Sequence, residues 1–514
     1  MRESRDLGTA GRSGLLAAAY LAAAAGTLSQ ASFEFMMVPL QSELGLSADE
    51  ITGLTLIPAA ASLTAVFVVG ALGDRLGARW MLTVASVVFA VGAVLVMSAG
   101  GWASVVVGRA VGGVGAIALS VTGLAMLNSA VDDERQRGRL FGYFAAVVPA
   151  TFLVASLVAS VMSTRFSWRV VPIVWMGMAL VVLLVARRLR LASVRSQARG
   201  EMGTPLLAGG VLACIGFAAA IFAGNSTTAL LALAGSAALA VILIVLMRRL
   251  RNPSLDLRLF RAPGAVLLCG AIVLATLTNL FFFVNLFLQY RFPADVVSLS
   301  LLMAVPQLFA IAGGVAGGRL SARLGPLRAA AIALLAASML SLGLFIVRAD
   351  SPMWVSVLVL AVFAVPAAGM VGPLTQSLMQ RAPVDGSSAA SSIKSATWSL
   401  GGILGGVTVG AVGFTVFTRS LSSRLADVGM DLPAAQHIAE QVRSGAFVSE
   451  LGERLRVTNP PGADVLTGSQ TGLHLAQVDA LHTGGLAGMV TFGLAAVLVA
   501  LAGRRISAAG VDRS

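Results

Sequence analysis

Long runs without charge constrain this chain more than any other feature. Residues 51–72 and 81–98 carry no charged side chain, and similar stretches recur to the end of the chain. A backbone in hydrocarbon must satisfy its own N–H and C=O groups, so such runs are helices or closed barrels. These runs are too long for barrel strands, which need about 9–11 residues, and suit helices of about 17–25. We count fourteen, roughly 14–40, 51–72, 80–98, 104–127, 140–162, 170–186, 205–223, 227–247, 263–289, 298–318, 329–347, 354–374, 395–417 and 485–503. The expected fold class is an all-α integral membrane protein with 14 transmembrane helices, two six-helix bundles plus an inserted two-helix hairpin.

Composition agrees. The 514 residues are 57% hydrophobic and 11% charged, with mean hydropathy +0.89, against about one quarter charged in soluble domains. The net charge is +13, which by itself would fit nucleic acid. Its placement argues against that. An even helix count puts both ends on one side, and most of the 36 Lys+Arg then fall in the loops of that side. This is the positive-inside pattern, which places both termini in the cytoplasm and the chain in the inner (plasma) membrane. The basic loops face anionic lipid, and no nucleic-acid partner is expected. The short basic N-terminus runs into a span too long for a cleaved signal core, so helix 1 reads as an uncleaved anchor. Cys214 and Cys269 fall inside helices and read as inert small hydrophobes.

Two basic linkers, 186–205 and 248–263, divide the chain. The expected units are an N-terminal six-helix bundle (1–186), linkers with a central hairpin (187–262), a C-terminal six-helix bundle (263–503) and a tail (504–514). The bundles carry a common motif. "GALGDRLGAR" (70–79) aligns with "GRLSARLGPL" (318–327): Gly70 with Gly318, Leu72 with Leu320, Arg75 with Arg323, Gly77 with Gly325. Asp74 aligns with Ala322, so the acid is in the first copy alone. Two parallel six-helix halves characterise one large secondary-transporter architecture. Residues 418–484 form an outer loop with an amphipathic helix in "DLPAAQHIAEQVRSGAF". All three histidines, His437, His474 and His482, lie there; wide spacing without cysteine favours a solvated loop over a metal or pH-sensing site.

These motifs resemble those of a known family. "GALGDRLGAR" resembles the major facilitator superfamily signature between helices 2 and 3, with Ala78 in place of the first basic residue and Arg79 keeping the second. "VVVGRAVGGVGAIAL" (105–119) resembles the family's helix 4 motif through Arg109, Gly113, Gly115 and Ala116; Gly112 stands where glutamine is common. "FFFVNLFLQYRFPADVVSLSLLMAVPQLF" (281–309), with Gln289 and Pro306, and "WSLGGILGG" (398–406) resemble the fourteen-helix drug:proton antiporter branch. The resemblance implies a gate in which Gly70, Asp74, Arg75, Gly77 and Arg79 take part. Asp74 would face a helix N-terminus of the other half, where the helix dipole favours an anion, and hold the cytoplasmic side shut. Two departures weaken the antiport reading. The branch's helix 1 aspartate falls on Gln30, and its helix 5 Gly-Pro element is replaced by "ASLVAS" (155–160).

Charge within the spans is scarce and costs roughly 2.5–3.5 kcal/mol at mid-depth. Glu34 is the one acid well inside a span and Arg109 the clearest buried base. Both lie about 8–10 Å from the outer end of their helices at 1.5 Å per residue. In the resembling family helices 1 and 4 line the central cavity, so Glu34 and Arg109 are proton-coupling candidates. A static pair, Glu34 reaching the outer surface, or Arg109 bonded to helix 1 carbonyls are the alternatives. Gln30, Asn279, Phe282, Asn285 and Gln289 on helices 1 and 9 are candidate cavity residues, since an aromatic wall with a few amides suits a bulky apolar substrate; the phenylalanines could equally face lipid. The one lysine, Lys394, does not follow the glycines a phosphate loop needs. No ATP site, hydrolytic triad or metal cluster is legible in the spans, so no enzyme activity and no cofactor are expected and a proton gradient is the energy source. Glycines at four-residue spacing in 312–318 and 401–406 read as packing within one bundle rather than dimerisation, and the chain as a monomer.

The expected function is proton-coupled efflux of hydrophobic or amphipathic compounds, including antibiotics. The partners are then a small-molecule substrate, protons and the bilayer. A carrier for a specific metabolite, lipid or siderophore is the first rival, and a non-transporting membrane sensor the second.

Overall fold

The computed structural model describes residues 9–46, 48–130, 133–188, 202–221, 226–250, 255, 257–277, 280, 296–382, 386–443, 448–467 and 472–511. Among them every extended regular element is helical. In chain order these are α1 (Thr9–Leu44), α2 (Ala48–Leu76), α3 (Ala78–Met97), α4 (Trp102–Ser129), α5 (Glu134–Arg165), α6 (Pro172–Arg188), α7 (Gly203–Ile221), α8 (Ser226–Arg249) and α9 (Ala265–Leu277). They continue with α10 (Val296–Leu324), α11 (Pro326–Ser341), α12 (Met353–Gly369), α13 (Val371–Met379), α14 (Ser387–Asp427), α15 (Leu432–Arg443), α16 (Val448–Thr458), α17 (Pro460–Thr467) and α18 (Gly472–Val511).

Among the described residues eleven helical segments are long and apolar enough to cross a membrane. Gly203–Ala219 and Ala265–Leu277 are shorter apolar helices, and the run at 395–417 lies inside α14. The chain is therefore a multi-pass membrane protein. α12 and α13 form one span, Met353–Met379, interrupted at Met370, where Pro373 lacks the N–H that would bond the Gly369 carbonyl and its ring crowds that carbonyl.

Helices α1–α6 pack on one another, and α9–α14 pack with α18. α7 packs on α8, α2 and α14. Small residues permit this, because helices in lipid associate by close packing rather than by hydrophobic exclusion. The α4 glycines form two stripes. Gly108, Gly112 and Gly115 meet the backbone of α3 at Val96, Gly92 and Phe89, while Gly113 meets Ser62 of α2. In the C-terminal half, Gly313 and Gly317 meet α12 at Val365 and Gly369, and Gly401 and Gly405 meet α9 at Val273 and Leu277. The four-residue glycine spacing is thus taken up by contacts within the chain.

The bundle has two distinguishable ends. The basic end carries arginines at the ends of α2, α6, α8 and α10, Arg135 and Arg139 at the start of α5, and Arg504 and Arg505 late in α18. The opposite end carries a separate small core. Phe417, Leu421 and Leu425 of α14 bury against Ala435 and Ala439 of α15, Leu451 and Leu455 of α16, Leu466 of α17, and Leu473 and Ala476 of α18. This corrects the expectation of a solvated loop at 418–484. α14 and α18 continue past their apolar runs because this cap buries their next turns. Gly429, at φ 86, ends α14, and Asn459 Oδ1 accepts the Gly462 amide at 2.9 Å to start α17. Both are ordinary helix-boundary chemistry.

Candidate transport site and gate

Two seams join the halves at the basic end. In the first, α2 approaches α14. The Ser388 amide donates to Asp74 Oδ1 at 3.0 Å and the Ala389 amide to Asp74 Oδ2 at 3.0 Å. α14 begins after Gly386, which supplies no side-chain cap. Asp74 therefore does for α14 what a cap residue does for its own helix: it takes the second and third orphan amides and sets a negative charge on the positive end of the dipole. Glycines let it reach. A Cβ on Gly70 would lie 2.5 Å from Ser392 Oγ, and one on Gly73 would lie 2.9 Å from Ser388 Cβ. Asn128 of α4 adds a bond from Nδ2 to Ser387 Oγ at 3.2 Å.

The second seam joins α5 to α10. Gly77 before α3 has φ 80 and ψ 158, and Gly325 before α11 has φ 84 and ψ 157. The aligned motifs thus share a backbone turn that side chains rarely adopt. At the second seam Gly142 meets Gly318 and Gly138 meets the Ala322 amide. Here α5 is capped within its own chain segment, by Asp133 Oδ2 accepting the Gln136 amide at 2.7 Å. The start of α5 needs no acid at position 322, whereas Asp74 is what caps α14 among the described residues. Near the other end Ser160 and Ser300 share a buried hydrogen bond at 2.9 Å, so the small residues of "ASLVAS" serve this same seam.

The remaining motif arginines differ in role. Arg79 donates to the Arg187 carbonyl at 3.3 Å, tying α3 to the end of α6. Arg75 lies in the last turn of α2, where a cation favours the dipole.

Gln30 and Glu34 are both exposed, one turn apart on α1, while Phe33 and Phe35 between and beside them are buried. Arg109 lies close to Glu34 electrostatically, yet no ion pair joins them within 4.0 Å among the described residues. Instead Arg109 Nε donates to the Leu54 carbonyl of α2 at 3.1 Å, and the guanidinium sits 3.4 Å from the centroid of Phe33. The carbonyl partner is on α2, not on helix 1. Glu34 thus stands beside a cation that two other groups already hold. Asn279, Phe282, Asn285 and Gln289 lie outside the described residues.

Lys394 stands inside α14 with its ammonium 4.7 Å from the Trp398 ring centroid. Cation–π spacing of four residues is a signal the sequence carries, though nothing in it says the pair is partly buried. The histidines do not form a metal set: no group of three His, Cys, Asp or Glu suited to a metal occurs among the described residues. His437 bonds Gln441 at 3.1 Å. His482 bonds the Val347 carbonyl at 2.9 Å and stacks on Phe345.

Comparison with known proteins adds the family. The sequence profile described as "Major Facilitator Superfamily" matches residues 19–406. A methylenomycin A resistance protein of Streptomyces coelicolor is 26% identical over 354 residues, 67% of this chain and 73% of that protein. The multidrug resistance protein Stp of Mycobacterium tuberculosis is 26% identical over 410 residues, 76% of this chain and 74% of that protein. Among solved structures, the human organic anion transporter MFSD10 superposes with a TM-score of 0.58 at 14% identity, covering 94% of this chain and 99% of that one. The Escherichia coli fucose:proton symporter FucP superposes with a TM-score of 0.54 at 13% identity, covering 96% and 98%.

Proposed function

The chain belongs to the Major Facilitator Superfamily, a family of membrane transporters, and from that premise we propose that it exports hydrophobic or amphipathic compounds, antibiotics among them, against proton entry. The observation that carries this reading is Glu34: an exposed carboxylate inside a span, beside an arginine that other groups already hold. Relatives named for methylenomycin and multidrug resistance support the substrate class. One charge moving down the membrane potential releases about 2.3 kcal/mol per 100 mV, enough to bias a two-state carrier.

In this reading the chain spans the plasma membrane fourteen times, in two six-helix halves with α7 and α8 as an inserted hairpin. The basic end and both termini are cytoplasmic, by the positive-inside rule. Asp74 latches the cytoplasmic side while it caps α14. Rocking of the halves breaks the latch and opens a cavity lined by Gln30, Glu34 and the polar residues of 279–289. No cofactor takes part.

The test is purified protein in liposomes under an imposed pH gradient, with a panel of cationic and neutral drugs. Wild type should accumulate several of them in a gradient-dependent way and Glu34→Gln should lose the gradient dependence. Gradient-driven transport by Glu34→Gln equal to wild type would remove Glu34 from the coupling. Gln30 in place of the branch's aspartate supports a second reading, a carrier for one compound; transport of a single member of the panel would favour it.

A further inference from the structure

The first seam is closed by a carboxylate. Among the described residues no carboxylate lines the cavity at the second, and arginines do. Arg135 and Arg139 lie one turn apart on α5, with Tyr143 a turn further, and Arg319 and Arg323 lie one turn apart on α10. Together with Ala322 they line a cavity of about 500 Å³ at the basic end. All four arginines are exposed, and none has a hydrogen-bond or ion-pair partner among the described residues. Like charges one helical turn apart repel, so four unpaired guanidinium groups around one cavity call for an anion from outside the chain. Guanidinium forks match phosphate oxygens in pairs.

The surroundings identify the source. Below Arg319 and Arg323 the exposed face of α10 continues through Ala316, Ala312, Leu308 and Val305, inside the segment Val297–Leu324 that is apolar enough to span. Tyr143, 45% exposed, stands at the lip, where tyrosine favours the membrane–water interface. A soluble phosphate would meet the arginines alone. A phospholipid would also lay its acyl chains on the small and aliphatic residues beneath them.

We propose that this cavity binds the phosphate headgroup of an anionic phospholipid, bridging Arg135 and Arg139 of one half to Arg319 and Arg323 of the other. The lipid supplies at the second seam the negative charge that Asp74 supplies at the first. The four arginines converge only while α5 and α10 meet at the basic end, so the lipid favours that state over one in which they part. The inference rests on the chain being a membrane transporter of this fold and is independent of what it carries.

The test measures lipid binding to the detergent-purified full chain by native mass spectrometry, titrating phosphatidylglycerol and, separately, phosphatidylcholine. Arg319→Gln/Arg323→Gln should weaken phosphatidylglycerol binding by at least about tenfold, at roughly a few-fold per arginine near a surface. Arg135→Gln/Arg139→Gln, on the other half, should do the same. Arg504→Gln/Arg505→Gln removes equal charge at the same end and should leave binding within about twofold of wild type. Inorganic phosphate should not displace the lipid. Equal losses in all three double variants, unchanged binding in either cavity variant, equal affinity for phosphatidylcholine, or displacement by inorganic phosphate would each overturn the proposal, the last pointing to a soluble-anion site. Circular dichroism and monodispersity checks accompany each variant, and Arg319→Lys/Arg323→Lys, which keeps the charge, should retain most of the binding if the loss is electrostatic.

Discussion

Asp74 and Ser388 are 314 residues apart in sequence and 3.0 Å apart in space, carboxylate oxygen to backbone amide. Each belongs to a different half, and the bond forms where Gly386 gives α14 no side-chain cap. Asp74→Ala removes both acceptors and should destabilise the closed basic end by about 1–2 kcal/mol, the usual worth of a helix cap. Asp74→Asn keeps one oxygen and drops the charge, so its loss should be smaller, under about 1 kcal/mol. Transport assays on equal amounts of membrane-inserted protein should rank wild type above Asn above Ala. Three equal rates would take the latch out of the mechanism.

The second seam depends on the absence of side chains. A Cβ on Gly318 would lie 2.5 Å from Gly142 Cα, which is backbone and cannot turn aside. Gly318→Val should therefore hold α5 and α10 apart, cost about 1–3 kcal/mol and depress transport. Gly177 of α6 has nothing within 4 Å of its Cβ position, so Gly177→Val is the matched control and should transport as wild type. Thermal unfolding of both variants in detergent separates seam strain from loss of the bundle.

The cap should respond on its own. Leu421 is fully buried in a core separate from that of the spans. Leu421→Ala should cost about 2–5 kcal/mol, felt mainly within residues 417–476. Hydrogen exchange should rise there while α1–α6 keep their protection. Uniform loss across the chain would show that cap and bundle share one cooperative unit.

Much of the fold is legible in the sequence because a bilayer leaves few choices. Uncharged runs give helices, and the repeated Gly-x-Leu pattern gives two halves whose turns agree to a few degrees at Gly77 and Gly325. Resemblance placed a helix N-terminus opposite Asp74, but which helix is a tertiary fact. So is the reason for Ala322, since it depends on Asp133 capping α5 locally. The cap was illegible for a different reason. Its own helices, α15 to α17, are short, and each of the five contributing segments buries only two or three residues; the core exists once the five meet. The cavity arginines show a similar limit. Their four-residue spacing is visible on each helix, whereas the convergence of Arg139 with Arg319 and Arg323 needs the seam.

Alternating access at the basic end is the central claim, and a cross-link across it is the most direct measurement. Asn128 and Ser387 lie in opposite halves, 3.2 Å apart between side-chain polar atoms. In a background with Cys214 and Cys269 changed to alanine, Asn128→Cys/Ser387→Cys joined by a short reducible bis-thiol reagent locks the end that must open. Transport in liposomes should stop on cross-linking and return on reduction, with each single-cysteine variant unaffected by the reagent. Transport by the fully cross-linked protein at the rate of the reduced protein would contradict an opening there.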